Sequence, residues 1–118
     1  MDKKITYKIA IVLDEEKIKS VDAYYPNDIY DEIDYKFSRY GIVRLKSEYV
    51  GKGKHLVYGC DNNKYGHFWF VVMTLFEKEW FKPYLVKYTY YSNLNLPNGK
   101  WRSENVLATL TNFEVKSI

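Results

Sequence analysis

Cysteine is nearly absent from this chain: Cys60 stands alone among 118 residues. A lone thiol cannot close an internal disulfide, and small secreted domains usually carry several, so a disulfide scaffold is excluded and a reducing compartment, the cytoplasm, is expected. Long apolar runs are missing as well. The longest, Phe68 to Phe76, is broken by Thr74 and falls far short of the ~18–20 residues that cross a bilayer, so no membrane association is expected. The start, Met1-Asp2-Lys3-Lys4, leads straight into an alternating pattern without the apolar core or small-residue cleavage site of a signal peptide. Glutamine is absent, alanine is scarce, and lysine outnumbers arginine 15 to 3. With abundant Ile, Tyr and Asn, that is the mark of AT-rich coding, and a low-GC bacterium, its phages or its mobile elements are the expected source.

What is present favours strands. Apolar residues make up 47% of the chain and aromatic residues 19%, including 13 tyrosines, so a core can form. The length fits a single domain spanning 1–118. The net charge of +3 names no partner, but it is unevenly spread. Residues 1–35 hold nine acids against five lysines, a net of −4, and the remainder carries +7.

Residues 5–13 alternate cleanly, with Ile5, Tyr7, Ile9, Ile11 and Leu13 on one face. Ala10 and Val12 on the other face suggest that its far end is covered too. Residues 18–25 read as a second strand. Pro26 and Asn27 then open a helix over 27–40, where Ile29, Ile33, Phe37 and Tyr40 form one stripe and Gly41 caps the end. Strands are expected at 42–50, 55–60, 67–76, 84–92 and 105–116, the run 67–76 being apolar on both faces like a central strand. The fold class is α+β: an antiparallel sheet of about six or seven strands, a meander or roll, packed on one amphipathic helix near 27–40. This is similar in layout to a cystatin-like roll.

Several residue groups invite a chemical reading. Cys60 and His67 flank a loop at 61–66 and would face each other across a hairpin, near enough for a thiol–imidazole pair. Nothing supplies an orienting third group, and a structural cysteine is the simpler reading. His55 and Cys60 lie five apart in one strand and so point to opposite faces, which argues against a shared metal with Asp61 and His67. No metal and no cofactor are expected. The hairpin around Gly51–Gly53 is basic, with Arg44, Lys46, Lys52, Lys54 and His55, and could grip phosphate oxygens or simply blunt a sheet edge. The strand 84–92 carries tyrosine on both faces, with Trp101 close behind, and one helix cannot hide both.

That surplus of aromatic surface predicts a non-enzymatic binding protein acting through protein–protein contacts. The expected partner is another protein or a second copy, and the expected biology that of a phage or mobile-element accessory protein or inhibitor. The contact residues are expected among Tyr88, Tyr90, Tyr91 and Trp101. One alternative is single-stranded nucleic-acid binding by the same aromatics with Arg44, Lys46, Lys52 and Lys54, against which the acidic first third weighs unless it lies on the opposite side. Another is a small enzyme or ligand-binding roll built on Cys60 and His67.

Overall fold

The computed structural model describes residues 4–117, with the side chains of 113–117 left aside. Five strands and four helices follow one another: β1 (Tyr7–Leu13), α1 (Glu15–Ser20), α2 (Pro26–Ser38), β2 (Val43–Val50), β3 (Gly53–Cys60), α3 (Tyr65–Phe76), β4 (Leu85–Ser92), β5 (Arg102–Asn105) and α4 (Val106–Ser117). The strands form one antiparallel sheet in the order β2-β3-β1-β4-β5. The chain therefore leaves β1, crosses by α1 and α2 to β2, returns by the β2–β3 hairpin beside β1, and crosses again by α3 to β4 on the other side. This is the split β-α-β arrangement, doubled, of ferredoxin-like folds, with β5 and α4 appended. It is α+β as expected, but it is neither a meander nor a roll on a single helix.

Three expected strands do not form: 67–76 and nearly all of 105–116 are helical, and 18–25 holds the last turn of α1 followed by turn and coil. Within 18–25, Asp14 caps α1 by accepting from Lys17 N at 3.1 Å, and Ile18 drops into the core. The run 67–76 lies in α3. Its buried residues Phe68, Val71, Val72, Leu75 and Phe76 follow helical spacing, but apolar Trp69, Phe70 and Met73 between them erased the contrast that reveals such a stripe. Residues 105–116 fall almost wholly in α4, which Asn105 caps by accepting from Ala108 N at 3.1 Å. Helix α2 forms where expected but runs from Pro26, whose missing N–H costs nothing in a first turn, to Ser38, so Tyr40 of the expected stripe lies beyond its end. Its stripe Ile29, Ile33 and Phe37 is buried.

One face of the sheet packs on all four helices. Tyr7, Ile9, Ile11 and Leu13 of β1, Leu56, Tyr58 and Cys60 of β3, and Tyr88 of β4 share a buried cluster with Ile18, Ile33, Phe37, Phe68, Val72 and Val106 from the helices. The phenol rings are used structurally. Phe37 stacks on Tyr58 at 4.3 Å between centroids, and the Tyr58 hydroxyl donates to Asp34. Tyr88, wholly buried, donates to the Val72 carbonyl at 2.6 Å. Four helices rather than one thus hide most of the aromatic surplus. At the far end of β1, Gly53 sits so close to the Leu13 carbonyl that no Cβ fits without a shift.

Candidate functional site on the open face of the sheet

Among the described residues, the opposite face lies outside the cluster shared with the helices, although Ala10 and Val12 on it are buried. The register fixes what lies there: Lys8, Ala10 and Val12 on β1, His55, Val57 and Gly59 on β3, and Lys87, Thr89 and Tyr91 on β4. On β2 a bulge between Arg44 and Lys46 breaks the alternation, so Leu45 joins Lys46 and Glu48 on this side. Arg44, which the sequence placed beside Lys46, pairs with Tyr58 on the helix side instead. Bulges leave no trace in a periodicity argument.

Some of these residues, Lys8, Ala10, Leu45, Lys46, His55, Val57 and Tyr91, line a shallow groove of about 440 Å³ with Trp101, and Lys87 lies beyond that lining. Ala10 and Val57, directly paired, form its floor, Ala10 buried and Val57 half-buried; Leu45, Tyr91 and Trp101 line it with Lys8, Lys46 and the half-buried His55. Trp101 reaches the groove because the loop before β5 is anchored. Asn93 donates its backbone N–H to Thr6 O and its side-chain amide to Ile5 O, both at 3.1 Å, tying the loop to the start of β1. Lys8 then lies with its Nζ 4.1 Å from the centre of the Trp101 ring, a cation–π contact that holds both side chains.

The groove is positively charged. Lys46 pairs with Glu48 at 3.5 Å, whereas Lys8 and Lys87 have no carboxylate partner among the described ion pairs. Burial pushes the His55 imidazole below its ordinary pKa, and neighbouring Lys87 and Lys46 push it further against the opposing pull of Glu48. Its Nε2 is buried without a hydrogen-bond partner, as a neutral ring tolerates. The acids of the first third lie elsewhere. Asp28, Asp31 and Glu32 are exposed on α2 and Glu16 on α1, behind the sheet.

Of the residues expected to make contacts, Tyr91, Trp101 and Lys46 come together in this groove. The others do not. Tyr88 is entirely buried on the helix side, a correction to its expected place in a binding surface. Tyr90, on that same side, packs on Trp69 at 4.7 Å and on Tyr7 at 6.3 Å. Arg44 is held by Asp34 at 2.7 Å, Lys52 reaches Asp14 at 3.7 Å, and Lys54 lies over the rings of Tyr30 and Tyr49. The basic hairpin is thus tied to its own neighbours. Lys8, Lys87 and the Ala10–Val57 floor were not foreseen as a site; His55 was expected only beside the basic hairpin, and the cover expected over Ala10 and Val12 is found, both being buried.

The thiol–imidazole pair does not form. Cys60 is buried on the helix side, where burial first and then Asp61 push its thiol up to about 11, with Lys64 opposing. His67 is exposed on α3 and stacks on Tyr40 at 4.8 Å. An unpaired, protonated thiol is a poor nucleophile. Among the described residues no group of three or more His, Cys, Asp or Glu side chains could hold a metal ion, and no helix is long and apolar enough to cross a membrane. Comparison with known proteins finds no family model, no curated protein and no solved structure that matches the chain.

Proposed function

We propose that this protein is a non-enzymatic binding module that docks onto another protein through the open face of its sheet. The observation that carries this reading is the groove: an apolar floor lined by Tyr91, Trp101 and lysine, on the sheet face outside the cluster that the described helices share with the sheet. Aromatic walls over a small apolar floor suit an interface centre, and charged residues suit its rim. The fold itself carries no functional weight, since one architecture hosts many activities. A module of this size without a catalytic constellation acts on its partner by occupying it, as an inhibitor or adaptor does. The buried free thiol of Cys60 fits the reducing cytoplasm.

Single-stranded nucleic acid is the second reading, favoured by one observation: the acidic helices lie behind the sheet and leave the lysine face unopposed. It is the weaker of the two. Sheets that read single strands stack successive bases on aromatic side chains. On this face the central strands β1 and β3 offer Lys8, Ala10, Val12, His55, Val57 and Gly59, with no Tyr, Phe or Trp.

Photo-cross-linking in the native host tests the proposal. Benzoylphenylalanine replaces Tyr91 in the groove or, as a control, the exposed Tyr35 on α2. A discrete protein adduct from position 91 and none from position 35 is the expected result. Adducts from position 35 alone would overturn the assignment of the docking face.

A further inference from the structure

We propose that the groove takes an acidic segment of the partner, with one apolar or aromatic side chain seated on the Ala10–Val57 floor and flanking carboxylates on Lys8, Lys46 and Lys87. This rests on the docking face assigned above and adds the chemistry of what binds there. Charge complementarity points to this occupant. Among the described residues, Lys8 and Lys87 border an apolar surface with no carboxylate paired to them, and Glu48 is the one acid that the register places on this face. An anionic segment gives them what the fold does not, and lysines in such positions speed and orient association. Lys8 is already held over Trp101, so less side-chain freedom is lost when it meets a carboxylate.

A second copy of this chain fits the groove less well. A two-fold pairing of open faces is self-complementary by symmetry and would set lysine rim against lysine rim. Docking the acidic face of α2 into the groove of a neighbour relieves that clash, but such head-to-tail contact does not close unless its rotation forms a ring. A nucleic acid would satisfy the lysines but leave the floor, built of side chains rather than flat rings, without a matching group.

The test is selection from a random dodecapeptide library on the immobilised full chain, counter-selected on Lys8→Glu/Lys87→Glu. Both side chains are partly exposed, and thermal unfolding followed by circular dichroism shows whether the variant folds. The selected peptides are expected to carry several Asp or Glu residues around one apolar or aromatic residue. They should bind the variant at least about tenfold more weakly and weaken as salt rises. Should the variant not fold, Trp101→Ala takes its place, with the same loss expected. Groove-dependent peptides without an acidic bias would overturn this inference and leave the docking face standing. If no selected peptide depended on the groove, or if oligo-dT competed with the peptides at equal or higher affinity, both would fall. Self-association of the native chain that the charge reversal abolishes would make the occupant a second copy and refute the inference.

Discussion

Replacing Gly53 with alanine puts the packing of the sheet against its first helix to a direct test. Gly53 opens β3 and lies against the end of β1 and the start of α1. A Cβ built there falls well inside contact distance of the Leu13 carbonyl oxygen, 3.0 Å from the Tyr30 hydroxyl and 3.2 Å from Glu15 Cγ. Two of those groups are already engaged: Tyr30 donates to Glu15 at 2.6 Å and accepts from Lys54 N at 3.2 Å. The methyl cannot move away, so backbone or network must yield, at a cost of ~1–3 kcal/mol for overpacking. Restricting the unfolded chain returns ~0.4–1 kcal/mol, for a net loss of ~1–2 kcal/mol. At ~2.1 cal/mol/K per residue, the unfolding entropy of 118 residues makes that a fall in Tm of roughly 4–8 °C. Gly66→Ala is the matched control. Gly66 lies in the first turn of α3 with nothing near its would-be Cβ, so the same change should raise Tm by roughly 2–4 °C through helix propensity. Differential scanning calorimetry reads both. An unchanged or raised Tm for Gly53→Ala would refute the packing of this junction, and a fall for Gly66→Ala would refute the helix.

Three further predictions concern Tyr88, His55 and Cys60. Tyr88→Phe removes the hydroxyl that donates to Val72 O and should cost ~0.5–1.5 kcal/mol in urea unfolding, with the fold intact. His55, whose pKa is lowered on folding, binds a proton more readily in the unfolded chain. Its contribution is therefore complete above the ordinary histidine range and is lost as pH falls through that range towards the folded value. The drop in Tm from about pH 7.5 to about pH 5.5 should accordingly be smaller in His55→Gln than in the native protein. With its thiol at about 11, Cys60 should react with a disulfide reagent near pH 8 roughly a hundredfold more slowly than an unhindered cysteine, and labelling at the free-thiol rate would contradict its burial.

Much of the fold was legible because alternation and capping are local. The inward face of β1 and the stripe of α2 follow from spacing alone. What escaped did so for physical reasons. In α3, Phe70 and Met73 remain exposed at 56% and 43%, so an apolar outer face mimicked a strand covered on both sides. The short α1 owes its place to one cap and one buried isoleucine, signals too small to outweigh the strand preference of Val21 and the tyrosines after it. The split connection is invisible to periodicity, because strand order depends on which helix crosses which strand. The candidate groove was half legible for the same reason. Tyr91, Trp101 and Lys46 stood out by residue type, but their union with Lys8, His55 and Val57 required the register across four strands and a bulge at Leu45.

The central claim, that the lysine-rimmed face of the sheet is the docking surface, is tested most directly once a partner has been captured. Its affinity is then measured for the native chain, for Lys8→Glu/Lys87→Glu and for Tyr35→Ala on the helix side. The account predicts a loss of about tenfold or more for the charge reversal, equivalent to ~1.4 kcal/mol, and no change for Tyr35→Ala. Equal affinity for the native chain and the charge-reversed variant, with loss confined to Tyr35→Ala, would contradict it.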